Sequence, residues 1–315
     1  MKKGLSTAFI ILIIIAVITL AGCGSSSLKM ATGGTTGTYY AFGGVVSQVL
    51  SEKTGLSFDV QSTGASAANI RLVADGEVDL AIVQNDVMDY AYNGTSLFEN
   101  DKIDNFYAMA ALYAEVCQIV ANPDAGIKSI ADLKGKRVSV GDAGSGVEFN
   151  AKQILEVYGI TFDDITVQKL GFGDSANAFK DNKIDAFFCT AGAPTTAIMD
   201  LTTTNKIVIL SIDEEHAKAL MEKYPFYTQY PIPASVYGGK TEDAITVAVK
   251  ATFIVSKKLP EETVYKMTKA LFENKSQIAS GHAKGAELNP KYAVEGVSVP
   301  FHPGAKKYFK EIGVL

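Results

Sequence analysis

The sequence predicts an α/β protein made of two similar domains facing one cleft. Three observations carry this. Short apolar runs rich in β-branched residues alternate with amphipathic helical runs along most of the chain. Two strand-to-helix turns are rich in glycine and hydroxyls: Thr32-Gly33-Gly34-Thr35-Thr36-Gly37-Thr38-Tyr39 and Gly141-Asp142-Ala143-Gly144-Ser145-Gly146. The β-loop-α-β-loop-α-β order around the first recurs around the second. Gly37 and Gly146, like Asp79 and Asp185, are separated by roughly a hundred residues, too long a period for a solenoid. A chain of 315 residues is long enough for about two domains.

The chain opens with a leader. Lys2 and Lys3 precede an apolar run over 9–20, which ends in Leu20-Ala21-Gly22-Cys23. The run is short for a membrane-spanning helix and has the layout of an export signal. Its end resembles the lipobox of bacterial lipoproteins. By that resemblance residues 1–22 are removed, Cys23 carries the lipid, and 23–27 form the anchored tether. The expected location is outside the cytoplasm, held at a bacterial membrane surface.

Beyond the tether, 28–32 reads as a strand and 39–53 as a helix with Phe42, Val45, Val46, Val49 and Leu50 on one face. Gly55 is placed to end it. A strand over 56–61 leads into the second polar turn, Ser62-Thr63-Gly64-Ala65-Ser66. A helix over 67–74, a strand over 78–83 and the polar strand end Gln84-Asn85-Asp86 complete the unit. Residues 106–121 read as one long apolar strand or two collinear ones, broken at Asn122-Pro123. The second unit follows: strand 137–140, helix 147–158 ended by Gly159, strand 165–170, helix 176–180 and strand 184–189. Pro194 suits the first turn of the next helix. A strand over 207–210 and a helix over 213–224 lead to an irregular segment holding Pro225, Pro231 and Pro233. A strand over 244–256 and helices over 261–275 and 305–312 finish the chain. The chain is expected to cross between domains near Asn122 and again near 232–240. This makes 28–121 plus 241–315 one lobe and 122–240 the other, with a two-crossing hinge that can close on a ligand. In open α/β sheets, ligands bind beyond the carboxyl ends of the strands, so both glycine loops should face the shared cleft.

Composition removes several classes of function. The formal charge is −5, with acids and bases scattered, which disfavours nucleic acid. Cys117 and Cys189 lie in apolar strands and read as buried free thiols. The three histidines, His216, His282 and His302, are isolated, and no metal site is expected. Neither glycine loop matches GxGxxG or carries the lysine of GxxxxGK[ST], so a nucleotide- or phosphate-using enzyme is a remote alternative.

Taken together, several motifs resemble the TAXI type of solute receptor, the extracytoplasmic binding subunit of TRAP transporters. They are Gly34-Thr35-Thr36-Gly37-Thr38-Tyr39-Tyr40, Ser62-Thr63-Gly64-Ala65-Ser66, Ile82-Val83-Gln84-Asn85-Asp86, the stretch from Leu133 to Gly141, Gly144-Ser145-Gly146, Asp185-Ala186-Phe187-Phe188 and Ala191-Gly192-Ala193-Pro194. The resemblance covers nearly all of the chain after the leader. Where the family's commonest signature reads Gly-Ser-Gly-Thr-Glu, Val147 precedes Glu148 here. The resemblance implies a two-lobed type II periplasmic-binding-protein fold, monomeric and without cofactor or catalytic activity. It implies capture of a small organic acid or amino acid, glutamate- or 2-oxoglutarate-like. Delivery is then to TRAP membrane subunits that spend an ion gradient. A receptor of the same fold serving an ATP-driven transporter, or a chemosensor, is the alternative.

The site follows from the loops. Arg71 and Arg137 are the two arginines of the sequence, and both read as structural, so a bidentate arginine clamp on a carboxylate is not expected. Backbone N–H groups at helix starts are expected to hold the carboxylate instead. The loop glycines Gly37, Gly144, Gly146 and Gly192, with Ala193, let the ligand approach the backbone. Thr36, Thr38, Thr63, Ser66 and Ser145 add hydroxyls, although helix capping and turn formation also suit them. Tyr39 supplies a wall or a hydroxyl, and the Gln84 amide reads a carbonyl or an amine. Glu148 has two readings: a partner for a ligand ammonium, or a first-turn capping residue.

Overall fold

A computed structural model of the chain describes residues 27–315. The leader, Cys23 and all but the last tether residue lie outside the described residues. In the first lobe, β1 (Leu28–Ala31), β2 (Phe58–Gln61) and β3 (Leu80–Gln84) are parallel and are linked by α1 (Thr38–Thr54) and α2 (Ser66–Asp75). The short helix α3 (Asn85–Asn93) leaves β3 directly. In the second lobe, β5 (Arg137–Ser139), β6 (Thr166–Gln168) and β7 (Ala186–Ala191) repeat the plan, with α4 (Gly146–Val157) and α5 (Phe172–Lys180) between them. The expected internal repeat is therefore present. It extends to Asp79 and Asp185. Asp79 Oδ2 accepts from the Lys29 N–H at 2.8 Å, and Asp185 Oδ2 accepts from the Arg137 N–H at 2.9 Å. Each aspartate ties the last strand of its unit to the first, and neither is a ligand group.

Two long strands join the lobes. β4 (Phe106–Ala121) and β10 (Ala244–Ser256) pair antiparallel and run through both halves, giving the order β2-β1-β3-β10-β4-β7-β5-β6. The C-terminal half of β10 pairs with β3 at residues 251–255, and the C-terminal end of β4 pairs with β7 at Val116–Ala121. The changeover therefore falls inside the strands, near Val116 and Lys250, and not at Asn122 and 232–240 as expected. The breaks at Asn122-Pro123 and at the prolines of 225–233 are turns within the second lobe. An apolar strand that crosses a hinge without interruption carries no breaker residue to mark the crossing. The segment read as irregular also holds a strand, β9 (Thr228–Ile232), on the edge of β10, where Pro231 is tolerated.

The second lobe is completed by α6 (Thr196–Thr204), β8 (Val208–Ile209) and α7 (Glu214–Lys223). The helix α6 begins two residues beyond Pro194, so Pro194 is outside its first turn. The C-terminal segment returns to the first lobe with α8 (Glu261–Glu273), α9 (Lys275–Gly281), α10 (Pro290–Val294) and α11 (Pro303–Glu311). Both faces of the sheet are covered in each lobe. Phe42, Leu50 and Phe253 pack on one face of the first lobe, and Ile70, Val83 and Phe98 on the other. In the second lobe Cys117 and Phe188 lie in one core cluster, and Cys189 and Phe187 in another, so the adjacent buried thiols fall on opposite faces of the sheet. Each fully buried Phe contributes about 2–3 kcal/mol by leaving water. The two lobes thus have separate cores and are joined by two strands.

Candidate functional site

The strand-end loops of both lobes meet in one pocket with about 530 Å³ of empty volume, its mouth included. Four helix N-termini line it: Gly37, Thr38 and Tyr39 of α1, Ala65 and Ser66 of α2, Ser145, Gly146 and Val147 of α4, and Phe172 of α5. First-turn N–H groups have no carbonyl within their own helix, so each terminus offers free donors and a partial positive charge. Three of the four starts are bare, with Gly171 capping α5 without a side-chain bond. Gly37 and Ala65 cap α1 and α2 with no side-chain bond. Ser145 caps α4, its Oγ accepting from the Glu148 N–H at 3.2 Å. Ala65 has φ 65°, a left-handed value that favours glycine, so backbone strain sits on the pocket wall.

Glu115, from the middle of β4, lines the same pocket and is 2 % exposed. Its Oε2 accepts from the Tyr39 hydroxyl at 2.5 Å. Burial pushes its carboxyl well above the usual range. Asp86 adds to that, while Tyr39 and Lys284 oppose it. Burial and the neighbouring Glu115 likewise raise the Tyr39 phenol. Asp142 also reaches the pocket, its carboxyl raised by partial burial and by Asp174.

The lobes are clasped beside the pocket. Thr38 Oγ1 donates to the Gly192 carbonyl at 3.0 Å, and Gln84 Nε2 donates to Asn150 Oδ1 at 2.9 Å. Asn150 Nδ2 donates to Asp86 Oδ2 at 3.1 Å and to the Tyr227 oxygen at 2.7 Å. Tyr227 in turn donates to Gln153 Oε1 at 2.6 Å, and Gln153 Nε2 donates to the Tyr90 oxygen at 2.9 Å. Burial lifts the Asp86 carboxyl to about 6, against hydrogen bonds from Val87 and Asn150. A Cβ at Gly146 would lie 1.6 Å from Gln84 Oε1, so the clasp needs glycine there. A Cβ at Gly192 would meet the Lys284 Cε at 2.7 Å and the Thr38 Cγ2 at 2.9 Å.

The pocket brings together seven of the residues singled out from sequence: Gly37, Thr38, Tyr39, Ser66, Gln84, Ser145 and Gly146. Six lie off its lining. Thr63 Oγ1 donates to Thr32 O and faces Asn69 Oδ1, holding its own turn. Thr36 packs against Gly173 of the other lobe, where a Cβ would be 3.3 Å from it. Gly144 is a left-handed turn residue at φ 74°. Gly192 receives the Thr38 bond, and Ala193 packs on an apolar cluster of the second lobe. Glu148 accepts from the Gly144 N–H at 2.7 Å and pairs with Lys169 at 2.8 Å, the capping role of its two readings. Arg137 pairs with Asp185 and Arg71 with Asp101.

Sequence reasoning missed Gly33, Gly34, Ala65, Glu115, Asp142, Val147, Phe172, Thr190 and Ala191 as lining. Glu115 carried a usable signal. It is the one charged residue of a sixteen-residue apolar strand, and a charge there must be paired or functional.

The model of the NMT1-like family matches residues 30–313. This chain belongs to the NMT1-like family. The fold of the chain is similar to that of solved structures. PhnD1 of Prochlorococcus marinus in complex with methylphosphonate is similar at 12 % identity with a TM-score of 0.54, covering 92 % of this chain and 99 % of that one. The alkanesulfonate-binding protein SsuA of Xanthomonas axonopodis bound to MOPS is similar at 13 % identity and 0.51, covering 90 % and 83 %. The ligand-binding core of GluR0 from Nostoc punctiforme with L-glutamate is similar at 16 % identity and 0.50, covering 83 % and 100 %. At these identities the likeness is one of fold. This NMT1-like chain has the type II periplasmic-binding-protein fold.

Proposed function

We propose that the protein is an extracytoplasmic solute-binding receptor that closes two lobes over one small organic acid or amino acid. The observation that carries this is the pocket itself. Free helix N-termini from both lobes converge on it, and the clasp of Gln84, Asn150, Asp86 and Thr38 holds the lobes together beside it. Such a pocket binds an anionic group by backbone N–H donors without an arginine. The similar folds support a small charged ligand, since their structures hold methylphosphonate, MOPS and L-glutamate. The reading is of a binding protein without catalytic activity, as the binding proteins among the similar folds support. The lipobox-like Cys23 supports export and lipid anchoring. The TAXI-like motifs support delivery to TRAP membrane subunits.

The test is thermal unfolding of the chain from Ser25 onward, refolded to strip carried ligand. The panel is glutamate, glutamine, 2-oxoglutarate, succinate, malate, short fatty acids, sugars and a nucleotide. A ligand at a hundred times its Kd stabilises by about 2.7 kcal/mol, which raises the midpoint by several degrees. A shift with one class of acid is expected. A shift with the nucleotide or a sugar alone would overturn the reading. Uptake by vesicles carrying the membrane subunits would then need an ion gradient, and dependence on ATP would assign the partner to the other transporter class.

A further inference from the structure

Asp86 is the one acid of the clasp, and the second lobe supplies the side chain that covers it. Its carboxyl is fully buried in the first turn of α3. Oδ1 accepts from the Val87 N–H of the same helix at 2.9 Å. Oδ2 accepts from Asn150 Nδ2 of α4, across the cleft, at 3.1 Å. Asn150 also donates to the Tyr227 oxygen, so two neutral side chains of the second lobe come against the acid when the lobes close.

No cation comes with them. The titratable groups facing Asp86 are Asp89 and Tyr90 from α3, Glu115 and Cys117 from β4, and Tyr227 from the segment before β9. Each is an acid, a phenol or a thiol. Arg71 of α2 pairs with Asp101, and Lys250 of β10 donates to the Tyr292 and Glu295 carbonyls. A buried carboxylate without a counter-charge yields to its neutral form. The N–H groups at the start of α3 favour the anion, but burial outweighs them and lifts the carboxyl to about 6. The neutral form keeps both hydrogen bonds, because a protonated carboxyl retains acceptor capacity on its oxygens. Separation of the lobes removes Asn150 and admits water, which returns the acid towards its ordinary 3.8.

We propose that closing the lobes takes a proton from solvent onto Asp86 and opening returns it, so that the receptor holds its solute more tightly in acid than at neutral pH. This rests on the receptor reading above and adds a regulation of the same cleft. A group that binds its proton more tightly in the closed state favours closure at low pH, and the advantage is lost as pH rises through its closed-state value. Glu115 is not part of this device. Its donor, Tyr39, belongs to α1 of the first lobe, so that bond does not depend on closure.

The experiment is titration calorimetry of the refolded chain with glutamate, glutamine, 2-oxoglutarate, succinate, malate and short fatty acids, in buffers of different ionisation enthalpy. The tightest binder is then carried into Asp86→Asn, which has no proton to gain. Between about pH 7 and about pH 5, the affinity of the unaltered chain is expected to rise at least about fivefold more than that of the variant. Near pH 5.5 the unaltered chain is expected to take up about half a proton or more per molecule bound, after correction for the solute's own ionisation. If Asp86 serves only as a hydrogen-bond acceptor, the variant binds more weakly at both pH values alike. That result would overturn the proposal and leave the receptor reading standing. Binding of none of these solutes at either pH would overturn both. If Asp86→Asn does not fold, the proton count of the unaltered chain decides: uptake supports the proposal, and release or no exchange overturns it.

Discussion

The two glycine loops are counterparts in a repeat, yet the structure has finished them differently. In the first lobe, α1 and α2 start at Gly37 and Ala65 with no side chain on their N-terminal donors. In the second, Ser145 takes the Glu148 N–H of α4 and Glu148, paired with Lys169, takes the Gly144 N–H before it, while α5 starts at Gly171 with no side-chain cap. The buried acid Glu115 hydrogen-bonds to α1 through Tyr39, not to α4. The first lobe leaves both of its loop helices bare, and the second leaves only α5 so. Two bare starts against one favour the first lobe as the anchor. It also shows that two similar loops in a sequence need not have similar roles.

The comparison breaks most sharply at the point of contact. Gly146→Ala puts a methyl into Gln84 and cuts its bond to Asn150. Affinity for the panel's best ligand is expected to fall on the order of thirtyfold, about 2 kcal/mol of closure energy. The midpoint of the unliganded protein should fall as well, though by less than for Asn150→Ala, which strips three partners at once. Calorimetry and thermal unfolding check the two halves. Asn150→Ala removes the centre of the clasp and strips Gln84, Asp86 and Tyr227 of a partner together. A stability loss of about 2–4 kcal/mol is expected in urea unfolding.

Asp86 gives the clasp a pH signature. Its carboxyl holds a proton up to about 6 in the folded protein, against 3.8 when free. Between those values the native state binds more protons than the unfolded chain, so this group's contribution falls as pH rises. The loss approaches about 3 kcal/mol across the window. Asp86→Asn should remove that component, visible as the difference between the two stability curves from about pH 4 to about pH 6.5. The smallest effects separate the lobes. Thr38→Ala should cost about fivefold in affinity, the worth of one hydrogen bond to Gly192. Ser145→Ala should cost about 1 kcal/mol of stability through its lost cap and less than twofold in affinity. The reverse order would place the anchor in the second lobe. If both stay within twofold, neither hydroxyl belongs to the site.

Much of this was legible in the sequence, and the reasons it stopped are physical. The repeat, the helices after each glycine loop and the long strand over 106–121 follow from periodicity and turn residues, which are local. The crossing points did not, because β4 and β10 pass the hinge with no change in composition. Half of the expected site residues line the pocket. Thr63 and Glu148 do not, since a turn hydroxyl or first-turn acid can satisfy a backbone group nearby before any ligand arrives. Glu115 was passed over because the strand around it reads as core. Its meaning depends on Tyr39 and Gln84, which come from another part of the chain.

The most direct test is a crystal structure of the chain with whichever panel acid stabilises it most. The carboxylate is expected within hydrogen-bond distance of first-turn N–H groups of α1 and α2, with the lobes closed through Gln84 and Asn150. A carboxylate held by α4 instead, or a ligand outside the cleft, would contradict it.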